Sequence, residues 1–217
     1  MDRPQLLSAA GLERRLGDRL LWSQLDLALA GGDRLGLVAP SGAGKTLLLR
    51  TLALLDPPEA GTFHLLGRAP AAWGLPRWRA MVLYLAQRPV AGGGTVAANL
   101  RAPWRFRERR GRGGWSYERI TGWLAALGRD ASFLDYDAER LSGGELQLLA
   151  LLRALQFDPT VLLLDEPTAS LDGATTTAAV EALLTDWLAA GPRACVLISH
   201  DGDQIERFAT RTLELQR

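Results

Sequence analysis

The sequence predicts an α/β fold: a mostly parallel sheet covered by helices, with a small antiparallel β-lobe and an inserted helical lobe. Three observations predict it. Four short apolar runs alternate with helical patterns along the chain, shorter strand-like runs flanked by turn residues lie upstream, and a glycine-interrupted helical stretch sits between Arg88 and Arg140.

The four runs are Arg34 to Val38, Met81 to Leu85, Val161 to Leu164 and Ala194 to Ile198, each short and apolar enough to be a buried strand. The β-lobe is expected from Leu16 to Leu21 around Gly17-Asp18, from Leu25 to Leu29 and from Phe63 to Leu66. The helical lobe is expected from Thr95 to Leu100, the loop Arg101 to Gly114, and Tyr117 to Leu127. A chain of 217 residues, 47% of them hydrophobic, can bury its own core as one domain, 1–217. Within it, 1–87 and 156–217 form the core and β-lobe, and 88–155 form the helical lobe.

Composition narrows the class. The single cysteine, Cys195, has no internal disulfide partner and lies in an apolar run, as a small core residue in a reducing compartment does. No apolar stretch approaches the roughly 18 to 20 residues that span a bilayer. Met1 to Gln5 lacks the basic and apolar regions of a secretion signal, so a cytoplasmic location is expected. A net charge of +1 supplies no global field for nucleic acid, although Arg101 to Arg112 is locally basic. Of 25 basic residues one alone, Lys45, is lysine. Its compact ammonium is not interchangeable with a guanidinium, which points to a chemical reason for keeping it.

That lysine lies in Ser41-Gly42-Ala43-Gly44-Lys45-Thr46, between the strand Arg34 to Val38 and the helical run Leu47 to Leu54. Glycines there let successive amides and a helix N-terminus face a polyphosphate; Lys45 neutralises its outer phosphates and the Thr46 hydroxyl ligates magnesium. The full pattern has glycine at 39, where Ala39 stands, so the loop must enter without a positive φ or strain the alanine. A plain glycine-rich turn is the alternative reading.

Val161 to Leu164 ends in Asp165-Glu166. At the tip of a buried parallel strand, Asp165 can hold a magnesium ion's water shell and Glu166 can reach a water in line with a γ-phosphate. A strand running out into a charged turn before Pro167 would look the same. Leu141-Ser142-Gly143-Gly144-Glu145 precedes the apolar helix Leu146 to Leu155. Ser142 and Glu145 have the spacing of a capping box, and the two glycines expose amides to an anion, giving a second phosphate-binding helix end.

The order of the phosphate loop, Gln87, Leu141-Ser142-Gly143-Gly144-Glu145, Leu162-Leu163-Leu164-Asp165-Glu166, Ser170-Leu171-Asp172 and His200 resembles an ABC ATPase from about Leu12 to Leu213. The resemblance implies a P-loop NTPase core that binds ATP and Mg2+ and hydrolyses ATP. Gln87 then corresponds to the glutamine that joins core to helical lobe and touches metal and attacking water, and His200 to the histidine that contacts the γ-phosphate. Asp172 matches the turn that crosses a dimer interface. The implied catalytic set is Glu166, His200, Gln87 and Lys45. The nucleotide set is Ser41, Gly42, Ala43, Gly44, Lys45, Thr46, Leu47, Ser142, Gly143, Gly144, Glu145 and Asp172, and the metal set is Thr46, Gln87 and Asp165.

The resemblance also implies a head-to-tail homodimer that closes on ATP, each nucleotide lying between one phosphate loop and the partner's Ser142-Gly143-Gly144. The subunit would drive a separate transmembrane permease from the inner face of the cell membrane, receiving one of its helices near Gln87, Val90 and Thr95 to Trp104. Thr95 to Leu100, Pro103-Trp104 and Leu152 to Phe157 resemble small Fet-type subunits associated with bacterial iron export. Export of another substrate such as a lipid, or regulation of a membrane complex without transport, are the alternatives. A nucleic-acid-dependent ATPase, suggested by Trp104-Arg105-Phe106-Arg107 and Arg109 to Arg112, is the reading from another class, and no nucleic acid partner is expected.

Three departures from the family pattern bear on the site. Leu47 replaces a second hydroxyl residue and removes one α-phosphate hydrogen bond. No aromatic lies between Glu13 and Gly17 to stack on adenine, leaving Arg14, Leu16 or Trp22 to cover the base. Leu148 stands where an arginine commonly follows the signature.

Overall fold

A computed structural model describes residues 3–109 and 114–215. Met1, Asp2 and Arg110 to Arg112, part of the basic loop expected from sequence, lie outside the described residues. Two compact units make up the chain. One comprises the described residues of Met1–Tyr84, Pro159–Glu166 and Leu188–Arg217, the other those of Leu85–Asp158 and Pro167–Trp187. The second unit therefore gathers the stretch after Pro167 in addition to the helical segment expected at 88–155.

The first unit begins with β1 (Gln5–Leu16) and β2 (Arg19–Ala30), antiparallel strands joined through Gly17-Asp18, with β4 (Ala60–Leu65) on the other side of β1. Leu16 to Leu21 is thus the tip of a hairpin between two 12-residue strands rather than a strand of its own. Register shifts interrupt the β1–β2 pairing between Ala9 and Leu12 and on to Arg15. Each shift breaks the two-residue alternation by which a strand is read from sequence.

The second sheet has the order β5-β6-β7-β3-β8. β3 is Arg34–Val38, β6 Val161–Asp165, β7 Ala194–Ile198 and β8 Arg211–Glu214; β5 is Val82–Leu85, Met81 ending the preceding helix. β7 is parallel to both β6 and β3, and β8 is parallel to β3. All five residues of β6 and of β7 are buried, which accounts for their unbroken apolar character.

Helix α1 (Lys45–Leu52) follows β3 and buries Leu48, Leu49 and Leu52, each contributing about 1.5–3 kcal/mol. Two short helices, α2 (Pro70–Trp73) and α3 (Leu75–Met81), carry Trp78, fully buried with its indole N–H donated to the Leu52 carbonyl at 3.0 Å. Cys195 is completely buried, and burial pushes its thiol up to about 12.

In the second unit, α4 (Val96–Arg101) is capped by the Thr95 hydroxyl, α5 (Tyr117–Ala126) by Ser116, and α6 (Gly143–Leu155) by Ser142. α7 runs Gly173–Ala189, and α8 (Gly202–Phe208) returns to the first unit. Buried Asn99 clamps the loop ahead of α4 by exchanging hydrogen bonds with both the N–H and the carbonyl of Gly92. Trp104 donates to Gln156, which donates to the Leu100 carbonyl, so part of the tryptophan- and arginine-rich stretch is internal scaffolding.

Candidate nucleotide site

Because β3, β7 and β6 are adjacent and parallel, their carboxyl ends lie side by side. Ala39 follows the first, Ser199-His200 the second, and Asp165-Glu166 closes the third. Ligands of open α/β sheets gather outside such an edge. A cavity of about 480 Å³ there is lined by Ala39, Lys45, Ser199, His200, Gly202 and Glu206 among others.

The phosphate loop turns at Gly42 (φ 75°) and Gly44 (φ 89°), a left-handed geometry that costs other residues roughly 1–2 kcal/mol. Gly44 is also packed: a Cβ there would come within 3.0 Å of Leu21 and 3.1 Å of the Trp22 indole nitrogen. Ala39 keeps its φ out of the positive range, so the loop enters without the strain that a missing glycine invites. Lys45 Nζ donates to the Ala39 carbonyl at 2.7 Å and to the Pro40 carbonyl at 3.4 Å, which holds the ammonium inside the loop's curve. Thr46 is exposed in the first turn of α1, whereas Leu47 packs against the core, so its side chain serves the fold where a hydroxyl would face ligand.

Asp165 is 2% exposed and accepts a hydrogen bond of 2.8 Å from the Tyr84 hydroxyl on β5. Burial, and then the carboxylate beside it, push the Tyr84 phenol far above its ordinary value, so it stays a proton donor. Sequence reading missed Tyr84; its signal was a polar tip inside an otherwise aliphatic strand. Glu166 has φ 51°, held there by its N–H donating to the Ile198 carbonyl at 3.0 Å. Its Oε1 lies 2.8 Å from His200 Nε2. Asp201, not His200, caps α8, leaving the histidine side chain available to the site.

Gln87, Ser142, Gly143, Gly144, Glu145 and Asp172 belong to the second unit. Both halves of the capping box are present: the Glu145 N–H donates to Ser142 Oγ at 3.3 Å, and the Ser142 N–H donates to Glu145 Oε2 at 3.0 Å. That second bond, with Arg129 at 3.5 Å, holds the Glu145 carboxyl below its usual range. Gly144 lies so close to Ser170 that a Cβ would stand 2.7 Å from its carbonyl oxygen. Ser142, Gly143, Gln87 and Asp172 are exposed. Leu148 is buried, so the position where an arginine commonly follows the signature belongs to the core of this chain. Gln147, also missed from sequence, is a buried amide in an apolar helix.

A parallel sheet whose edge joins a lysine-bearing phosphate loop to an acidic pair defines a nucleoside triphosphate-binding protein of the phosphate-loop class. The family model described as ABC transporter matches residues 22–169. An aliphatic sulfonates import ATP-binding protein of Nocardia farcinica is 37% identical, over 99% of this chain and 79% of its own length. A probable iron export ATP-binding protein of Escherichia coli is 32% identical, over 99% of this chain and 93% of its own. Among solved structures, a bacterial Atm1-family ABC exporter with ATP bound superposes with a TM-score of 0.80 at 26% identity, over 99% of this chain and 38% of that one. The chain belongs to the ABC transporter family, as an ATP-binding subunit and an ATPase that powers transport.

Proposed function

We propose that two copies of this chain close head to tail on ATP and drive a separate membrane permease from the inner face of the cell membrane. The observation that carries this reading is the Glu166–His200 pair at 2.8 Å, beside the lysine-bearing loop. A carboxylate at a strand tip with a histidine on its oxygen is suited to polarising a water aimed at a γ-phosphate. Successive amides of Gly42 to Thr46 and the Lys45 ammonium hold the phosphates. Exposed Ser142-Gly143 at the start of α6, with Gly144 behind them, would contact the partner copy's nucleotide, and exposed Asp172 would face the partner.

The donor set suits magnesium. Asp165 at the tip of β6 and Thr46 in the first turn of α1 offer oxygen ligands, and no group of three or more His, Cys, Asp or Glu suited to a metal occurs among the described residues. Magnesium characteristically takes one or two carboxylates plus substrate phosphates rather than an all-protein cage. Bound there, the ion would neutralise charge on the β- and γ-phosphates.

No helix among the described residues is long and apolar enough to cross a membrane, which supports a division of labour with a permease. Relatives named for import of aliphatic sulfonates and for export of iron are both similar, so cargo selection belongs to that partner. Iron export is favoured as cargo by the Escherichia coli relative, which the chain covers almost end to end. The test is purification of the tagged chain from membranes, identification of the protein that accompanies it, and transport assays on the reconstituted pair with iron, other metals, sulfonates and lipids. ATP-dependent movement of one cargo, lost on Glu166→Gln, is expected. Failure to retain any integral membrane protein would overturn the permease reading.

A further inference from the structure

Gln147 lies one turn below Gly143 and Gly144 on the same face of α6, its side chain among the buried polar groups at 3% residue exposure. Its Oε1 accepts the Ser170 N–H at 3.0 Å, and its Nε2 donates to the Gln87 carbonyl at 3.5 Å. Chemistry fixes the orientation of this amide. A backbone N–H only donates and a backbone carbonyl only accepts, so oxygen must face Ser170 and nitrogen must face Gln87. Ser170 is held on its carbonyl side too, because its carbonyl oxygen rests against Gly144 where no Cβ would fit.

Three segments far apart in sequence thus meet on one side chain: the turn at Gln87, the start of α6, and the turn Ser170-Leu171-Asp172. We infer that Gln147 is a positioning residue that couples the Gln87 turn to the Asp172 turn, so that a shift of one is transmitted to the other. This deepens the proposed function and rests on it: Gln87 is the group given to metal and attacking water, and Asp172 the group given to the partner copy. A buried amide bonded to both turns transmits displacement because either turn moving alone costs that buried group one of its hydrogen bonds.

Two substitutions separate the bonds. Gln147→Leu keeps burial and similar volume and loses both. Gln147→Glu keeps an acceptor for the Ser170 N–H, loses the donor to the Gln87 carbonyl while ionised, and regains it when protonated, an equilibrium that burial pulls toward neutral pH. Steady-state hydrolysis of ATP by the full chain is measured with each variant across pH, together with affinity for a fluorescent ATP analogue and the thermal unfolding midpoint. The expected result is a loss in kcat of roughly two- to thirty-fold for Gln147→Leu, with analogue affinity kept. Gln147→Glu should be slow at about pH 8 and recover relative to the native chain toward about pH 6, while Gln147→Leu shows no such recovery. A Gln147→Glu profile parallel to the native one, or a lowered midpoint with unchanged kcat in both variants, would reduce Gln147 to a packing residue and overturn the inference. Glu166→Gln in the same assay separates the two levels: if it too turns over normally, the proposed site has failed, and if it stalls while both Gln147 variants run normally, the coupling alone has failed.

Discussion

His200 Nε2 stands 2.8 Å from Glu166 Oε1, with the histidine side chain 67% exposed and the glutamate 11%. The carboxylate is largely buried on a backbone φ of 51° that costs about 1–3 kcal/mol, while the imidazole bonded to it is open to solvent on its outer side. Glu166→Gln preserves size and hydrogen bonding and removes the base. Hydrolysis is expected to fall by about 10² to 10⁴ while ATP binding persists. With the γ-phosphate facing one negative charge fewer, the ATP-bound dimer should accumulate. Size-exclusion chromatography with magnesium and ATP should show the variant moving to dimer and native protein staying monomeric. Adding Ser142→Arg should block the shift, and a variant that dimerises equally without nucleotide would remove Glu166 from this role.

Lys45 is the sole side-chain amine of the chain, curled against the Ala39 and Pro40 carbonyls. An amine-reactive ATP analogue should therefore label one internal position, and excess ATP should suppress that labelling. Lys45→Ala is expected to abolish useful nucleotide binding with the fold retained by circular dichroism. Peptide mapping that finds labelling indifferent to ATP would place the phosphates elsewhere.

Base selectivity should be slight. Trp22 is 4% exposed beneath Gly44, Arg14 is tied to the Pro57 carbonyl, and Leu16 at the hairpin tip is 63% exposed. Of the three residues that sequence offered for the base, only the leucine presents an open face. It lacks the aromatic stack worth about 1–3 kcal/mol per base elsewhere. GTP should compete with ATP to within a few-fold, and Leu16→Tyr should tighten binding of both nucleotides. Strong preference for ATP in the native chain would contradict this.

The capping box makes a prediction with a definite sign. Hydrogen bonding to Ser142 lowers the Glu145 carboxyl in the folded state, so its contribution is fully present above the unfolded value near about 4.3 and is lost as pH falls through the lower folded one. Glu145→Ala should cost about 0.5–1 kcal/mol at neutral pH. Chemical denaturation should find that difference shrinking as pH falls below the unfolded value, and a difference independent of pH would exclude the charged bond as its source.

The strands that aim the chemistry were legible because Leu35 to Leu37 and all of Ala194–Ile198 are buried, and Arg34–Val38 and Ala194–Ile198 match the apolar runs residue for residue. The hairpin of β1 and β2 was half read, since its register shifts scramble the alternation, and Gly11 donates to Asp26 where a regular pair would continue. β8 is a four-residue, mostly exposed strand whose only signal is pairing with β3. Among site residues, the loop and the acidic pair announce themselves by local spacing. Tyr84 and Gln147 do not, because a phenol or an amide in an apolar run acquires meaning only from the partner folding brings to it, Asp165 in one case and Ser170 in the other.

The buried thiol has a practical consequence. Cys195 is the chain's one cysteine, and with its ionisation pushed up to about 12 it will ignore maleimides and iodoacetamides at ordinary pH. The native protein is therefore already a silent background for spectroscopy. A single cysteine introduced at Asp172 or Ser142 would take a spin label or a dye without any prior mutation of the core, and the distance between labels on two copies could then be followed through the ATP cycle in real time.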